Sequence, residues 1–469
     1  MIRIISAALA LCACAHAYAA TCTWTGGGSD DKWSTAANWN NCGGIRPVPI
    51  STDTLVFPDT VPTADRTNTN DIVNLQPAAL QFTGLNYDIS GNAITLTPGA
   101  NSGITVSTPA ATLADHGPHF RPDIKLGGTQ TFSCAAGGSF LFIDGALNLN
   151  GKDLGIDGSC NTALRGAISG SGDIKKFGTG YLYFSQGPYS YGGIVTVNNG
   201  TVYVGTDSGL GATASSTYVE ADATLSLYLG VTTDESLFVN GGTLENFIGD
   251  NTVTGDVTLG SNSKVDVLPD TTLTINGIVT GGLVKQGTGT LVLNDVENAA
   301  FIVAEGSLEA TGSVMGPVVI DAGATFAGSG ALTSPLVVNA SGRLWIGTRA
   351  TPGTLPAQIL DWGPNGYIHA RLGKKADRLV LGAGLFKNGD GYRHFLFADG
   401  VTPPVQGVEY TLIEYPQQSG FDPGSFTSTY EGTGPGASMT GTFNVSATKI
   451  TFTVSSVVSD LVFRDGLEP

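Results

Sequence analysis

A lysine beside paired glycines is one way to hold phosphate, and this chain has that combination twice, in Lys176-Phe-Gly-Thr-Gly180 and Lys285-Gln-Gly-Thr-Gly289. A phosphate-cradling loop spaces its glycines as G-x-G-x-x-G, or sets its lysine after them. Neither spacing occurs at these sites, so the phrase reads as scaffold. Asp115-His116-Gly-Pro-His119, with Asp123 nearby, invites a metal ion. H-x-x-H lacks the glutamate of H-E-x-x-H, however, and Pro118 would interrupt a helix aligning both rings. The segment is expected to be a surface loop. No G-x-S-x-G nucleophile elbow exists, and Asp377, Asp390 and Asp399 have no spacing that pairs them. No catalytic residue, metal ligand or cofactor is predicted.

Cysteine and tryptophan carry the remaining chemistry. Met1-Ile2-Arg3, the apolar run Ile4 to Leu11 and Ala17-Tyr18-Ala19 have the form of a secretory signal peptide over residues 1–19. A rival processing site is Leu11-Cys12-Ala13-Cys14, with Cys14 as a lipidated residue. Export leaves Cys22, Cys42, Cys134 and Cys160, most simply two disulfides, although four cysteines allow three pairings. Sequence neighbours give Cys22–Cys42 and Cys134–Cys160, and the absence of C-x-x-C weakens zinc and redox readings. Trp24, Trp33 and Trp39 either stack on sugars or cap one end of the fold. Cys22 and Cys42 flank them, which favours a stapled cap.

The bulk composition narrows the class. Glycine is 66 of 469 residues and charged residues are 13%, yet mean hydropathy is +0.12. Low charge with appreciable apolar content argues against disorder. A net charge of −17 with only 22 Lys plus Arg argues against nucleic acid and anionic lipid as partners. No stretch after residue 20 is long and apolar enough for a membrane helix.

These residues must be positioned by short alternating strands. A turn phrase recurs in Val197-Asn-Asn-Gly-Thr-Val202, Val219-Glu-Ala-Asp-Ala-Thr-Leu225 and Val239-Asn-Gly-Gly-Thr-Leu244. It returns in Val303-Ala-Glu-Gly-Ser-Leu308, Ile320-Asp-Ala-Gly-Ala-Thr-Phe326 and Val338-Asn-Ala-Ser-Gly-Arg-Leu344. The period drifts around about twenty residues, within the solenoid range. Period-two alternation puts Leu182, Phe184, Leu291 and Leu293 inward, and Tyr181, Tyr183, Thr290 and Val292 outward. The expected fold is all-β: a right-handed parallel β-helix with an N-terminal disulfide-stapled cap and a C-terminal β cap. About 300 to 400 residues at about twenty per coil predict roughly 15 to 20 coils, and stacking at about 4.8 Å per coil makes a rod on the order of 70 to 100 Å long. Its parts are a signal peptide (1–19), a Trp/Cys-rich cap (20–60), β-helix repeats (61–345), a C-terminal β region (346–458) and a tail (459–469). The 109-residue offset between the two lysine phrases places both at the same corner of different coils, with Lys176 and Lys285 on the rim.

Ile168-Ser-Gly-Ser-Gly-Asp-Ile174, Lys176-Phe-Gly-Thr-Gly180, Tyr191-Gly-Gly193 and Val197-Asn-Asn-Gly200 together resemble the autotransporter-associated beta-strand repeat of bacterial passenger domains. The second copy lacks the Tyr-x-Gly-Gly segment. Trp24-Thr-Gly-Gly-Gly28, Trp33 to Trp39 and Asp53-Thr-Leu-Val-Phe57 are similar to the start of such proteins. Pro352-Gly-Thr-Leu355 and Asp377-Arg-Leu-Val380 are similar to the end of their stems. The resemblance implies an extracellular or surface-displayed β-helix of a Gram-negative bacterium, adhesive or structural and non-enzymatic, with extracellular glycan or cell-surface components as partners. Autotransporters also carry an outer-membrane barrel. About fifty residues follow Tyr415, of which Met439 to Val445 and Ile450 to Val458 read as strands, so this chain is expected to lack a barrel and any embedded domain. The alternatives are a carbohydrate-active β-helix enzyme, which would need an outward row of acidic and basic residues, and a sugar-binding module.

Overall fold

The computed structural model describes residues 19–43, 46–98, 103–107, 117–135, 139–432 and 437–458. Cys12, Cys14, Asp115, His116, the cleavage motif through residue 18 and the tail lie outside them. Among the described residues there are strands and three short 3-10 turns but no α-helix, and the strands wind into a β-solenoid of about 15 turns. Three strand faces run along it. Face A begins with Thr21–Trp24, Thr54–Phe57 and Ala79–Phe82, each pairing in parallel with the next. Face B stacks Thr67–Asn70 on Asp88–Gly91 and later Tyr181–Phe184 on Gly200–Val204. Face C stacks Ile94–Leu96, Ile124–Leu126, Leu147–Asn148 and Ile168–Ser169.

Alternation decides which side chains fill the interior. Leu182, Phe184, Leu291 and Leu293 are fully buried, whereas Tyr181 is exposed and Tyr183, Thr290 and Val292 are half-buried on the outside. One strand cannot bury its apolar row alone, so each row is sealed by the coils above and below. Parallel stacking runs from Thr21 opposite Thr54 to Ala398 opposite Glu431, through residues 60 and 345 alike. The C-terminal end changes geometry. Ser438–Val445 and Lys449–Val458 form an antiparallel hairpin whose second strand also pairs antiparallel with Glu409–Glu414. Phe443 and Phe452 from this hairpin pack on Phe397, covering the last coil.

The structure corrects two expectations about the lysine phrases. They occupy different corners. Following register from Leu182, the positions below it are Val202, Leu225, Leu244, Val265 and then Lys285. Lys176 instead shares its row on face A with Val197, Val219, Val239, Leu259 and Gly281. The phrase therefore turns the chain from face A to face B at 178 and from face B to face C at 287. The other turn phrases follow suit, the first three at the A–B corner and the last three at the B–C corner. The shift is made around Thr272–Gln286, a strand that pairs in turn with all three faces of the preceding coil.

Nor are the lysines on the rim. Lys176 and Lys285 are 1% and 0% exposed. The Nζ of Lys176 donates to the carbonyls of Phe177, Gly178 (2.7 Å) and Asn199 (3.3 Å). That of Lys285 donates to Gln286 (2.6 Å), Gly287 (2.6 Å) and Glu305 (3.4 Å). A tight corner turns carbonyls inward where no strand partner reaches them, and a buried ammonium with three donors satisfies them. Arg393, also fully buried, does the same with the carbonyls of Trp362, Asn388, Gly389 and Gly391.

Candidate functional site

The sequence-selected residues are mostly consumed by the scaffold. Trp24 and Trp33 are fully buried and Trp39 is 7% exposed. Trp39 meets both others edge-on, at 5.2 and 5.7 Å between centroids. Each indole N–H is satisfied internally, by the carbonyl of Asp65, by Asn68 Oδ1 and by the carbonyl of Trp33. The rings form the core of the first coil and offer no free face to a sugar. Cys22–Cys42 is bonded beside them, with Cα atoms 4.4 Å apart, and Cys134–Cys160 joins successive coils at 5.3 Å.

His119 is not in a loop. It lies in the face B strand His119–Phe120, its Nδ1 2.8 Å from Asp144 and its ring stacked on Phe142 at 4.3 Å. Burial pushes the Asp144 carboxyl up, but His119, Arg165 and Arg121 overcome this and hold it below the usual range. Asp123 is used elsewhere, accepting from the Ala146 N–H at 2.8 Å. No cluster of three metal-ligating side chains exists among the described residues. Asp377 is held by Arg371 and Gly353, Asp399 by the Tyr430 hydroxyl, and Asp390 stands exposed. These three carboxylates are committed to different surroundings.

What the fold does assemble is an aromatic surface on the outside of face B. In register, the outward row reads His119, Phe142, Ala163, Tyr183, Tyr203, Ser226, Glu245 and Asp266. Tyr183 and Tyr203 stack at 4.9 Å and 8°. Tyr181 stands edge-on to Tyr203 at 5.4 Å, and Phe140 lies 5.9 Å from Tyr183. Tyr228 and Phe247 close the other side of Tyr203 at 6.1 and 5.9 Å. Parallel in-register stacking aligns like residues one coil apart, and such aromatic pairs add about 0.5–1.5 kcal/mol each. The cation of Arg165 sits 4.1 Å over Phe142. Burial raises the Tyr183 hydroxyl to about 12, so it stays a neutral donor at physiological pH.

At the C-terminal end of this row two carboxylates succeed one another. Glu245 and Asp266 are register partners. Ser226 Oγ donates to Glu245 at 2.6 Å, and burial raises the Glu245 carboxyl above its ordinary value despite that bond. The outward tyrosines were visible in the sequence, and the signal joining them was spacing: Tyr183 and Tyr203 differ by one coil length. Ser226 and Ala163 hide the row, because small residues interrupt the aromatic pattern.

No protein-family profile matches the chain. Over 217 residues, 44% of this chain, it is 32% identical to a protein of Brucella suis biovar 1 (strain 1330) named Adhesin BmaC autotransporter. The chain covers only 6% of that relative's length. The similarity accords with the observed solenoid. Among the described residues no helix is long and apolar enough to cross a membrane.

Proposed function

We propose that the chain is a non-enzymatic, adhesin-like β-solenoid presented at the surface of a Gram-negative cell or released from it, with face B as its contact surface. The aromatic row from Phe140 to Phe247 carries this reading. Tyrosine and phenylalanine supply large contact area at little entropic cost, and aromatic side chains are enriched where proteins bind partners. The exposed rings of Tyr181 and Phe247, with the edges and hydroxyls of the stacked tyrosines between them, offer apolar and hydrogen-bonding contacts to a glycan lying along the rod. The name of the Brucella protein supports adhesion. A glycan array run beside a reducing-sugar release assay tests the proposal. Binding without release, weakened at least several-fold by Tyr183→Ala and Tyr203→Ala in a protein that melts lower but is still fully folded at the assay temperature, is the expected result. Binding unaffected by both substitutions would move the contact surface elsewhere.

One observation favours a second reading. Glu245 and Asp266 are register partners one coil apart at the end of the aromatic row, and a pair of neighbouring carboxylates is what glycoside hydrolysis requires. Sugar release abolished by Glu245→Gln would make the protein a hydrolase.

A further inference from the structure

Far from face B, the outward side of face C holds a second concave site. Its central row runs Ala327, Trp345, His369 and Leu396 in successive coils, with Thr325, Arg343 and Tyr367 alongside. All of these side chains except Ala327, with Arg349 and Glu431, line a cleft of about 240 Å³. The cleft exists because residues 347–353 fold back over the strand face and are clamped there. Arg371, 6% exposed, donates Nη2 to the carbonyls of Ile346 (3.1 Å), Thr348 (2.9 Å) and Thr351 (2.7 Å). Its Nε meets Asp377 Oδ2 at 2.8 Å, and Asp377 Oδ1 accepts from the Gly353 N–H at 2.7 Å. This clamp carries Arg349 across the face, where it donates to Ser307 Oγ.

The lining is rich in unmet polar capacity. Arg343 lies 5.2 Å over the Tyr367 ring, and among the described residues neither it nor Arg349 forms an ion pair. In a chain of net charge −17, two arginines without a direct ion pair in one cleft, against the single carboxylate of Glu431, are conspicuous. Trp345 and His369 stack at 3.5 Å, and the buried Trp345 Nε1 and His369 Nδ1 have no hydrogen-bond partner. His369 is 5% exposed, and desolvation holds it neutral, with its pKa lowered to about 4. On the opposite side of Trp345 the row neighbour is Ala327, whose methyl group cannot cover an indole.

We propose that this cleft binds a carboxylated sugar, with the pyranose ring against Trp345 and the carboxylate between Arg343 and Arg349. Guanidinium groups bind carboxylates through paired, charge-assisted hydrogen bonds, and Glu431 offers an acceptor for ring hydroxyls. At about 240 Å³ the cleft is smaller than the roughly 300–1,000 Å³ of drug-sized sites, which suits a single sugar unit. The site is independent of the contact surface on face B.

Trp345 supplies its own readout. The other four tryptophans, Trp24, Trp33, Trp39 and Trp362, are buried. Titration of the full chain with glucuronic acid and with N-acetylneuraminic acid, followed by tryptophan emission and calorimetry, should give saturable binding to at least one. Glucuronamide, isosteric but uncharged, should bind about tenfold more weakly than glucuronate if that acid is the ligand, and Arg349→Gln and Arg343→Gln should each weaken the acid by about tenfold. Trp345→Phe should abolish the emission change, while the thermal melts of all three variants stay near that of the parent. No saturable response to either acid, equal affinity for acid and amide, or unaltered affinity in both arginine variants would overturn the assignment.

Discussion

The corner at Lys176 and the corner at Lys285 share sequence and geometry, yet they turn the chain around different edges of the solenoid. In both, a buried ammonium gathers three carbonyls, and the first glycine after it adopts a left-handed conformation, φ 63° at Gly178 and 71° at Gly287. The neighbours differ: Asp157 approaches the first corner, Asp266 and Glu305 the second. A phrase this local encodes how to turn, and nothing in it counts coils. Register is set by the apolar rows, so the same turn works wherever a row needs one.

The largest effect should come from the rows themselves. Leu182→Asp and Leu291→Asp, on different faces, should each cost about 4–5 kcal/mol by burying an unpaired charge. Thr290→Asp, one residue from Leu291 but half-exposed, should cost less than about 0.5 kcal/mol. Chemical denaturation of the three variants checks this. A severe Thr290→Asp with a mild Leu291→Asp would reverse the inward assignment.

That assignment, the turn positions and the terminal hairpin were legible because alternation and positive-φ chemistry are local. Asp222 (φ 65°) and Ser341 (φ 64°) stand where other phrases have glycine, so even the irregular copies kept the pattern. What was not legible is non-local. Lysine beside glycine reads as surface until the next coil covers it, adding the carbonyl of Asn199 or Glu305 to the two from the lysine's own corner. His119 reads as loop until Phe142 and Asp144 of the next coil take it into a strand. The cleft on face C needs residues 347–353 laid across strands, and only the clamp between Arg371 and Asp377 shows that. It also brings Pro352-Gly-Thr-Leu355 and Asp377-Arg-Leu-Val380 side by side: Thr354 and Leu355 pair with Arg378 and Leu379, and Gly353 hydrogen-bonds Asp377.

The next largest effect should separate the corners. Lys176→Met and Lys285→Met keep the stem but leave three carbonyls each without a donor. Each should lose about 2–4 kcal/mol. Hydrogen exchange should show the loss confined to neighbouring coils, because coils contact only those beside them. Protection lost uniformly along the rod would mean the corners are coupled through the whole stack.

The remaining edge, between faces C and A, inverts the charge. There Glu235, 2% exposed, accepts from Ser215 Oγ and Thr217 Oγ1 at 2.5 and 2.8 Å. Burial raises its carboxyl to about 7, against a partial opposing pull from those hydroxyls. The folded state therefore binds the proton more tightly than the unfolded state. Its contribution to stability is complete below about pH 4.5 and is lost as pH rises through about 7. Glu235→Gln retains hydrogen-bonding capacity without charge, so it should flatten this dependence and gain up to about 3 kcal/mol above pH 7. Melting curves at pH 4.5 and 8 should converge and diverge accordingly. A constant difference between parent and variant would remove Glu235 from the titration.

The smallest expected effect tests whether the two corners are equally strict. A Cβ on Gly178 would lie 2.3 Å from the Gly158 carbonyl oxygen, and one on Gly287 would lie 2.2 Å from that of Val267. Both positions are left-handed, which alone costs an L-residue about 1–2 kcal/mol. Gly178→Ala and Gly287→Ala should therefore destabilise by similar amounts of about 2 kcal/mol. Gly192, in the Tyr-Gly-Gly segment that the second copy lacks, has nothing within 4 Å of an added Cβ and no positive φ. Gly192→Ala should be neutral or stabilise slightly through the unfolded chain. Equilibrium unfolding of the three variants decides the matter. If Gly287→Ala were as harmless as Gly192→Ala, the B–C corner would hold its shape through Lys285 alone, and the likeness of the two corners would end at the ammonium.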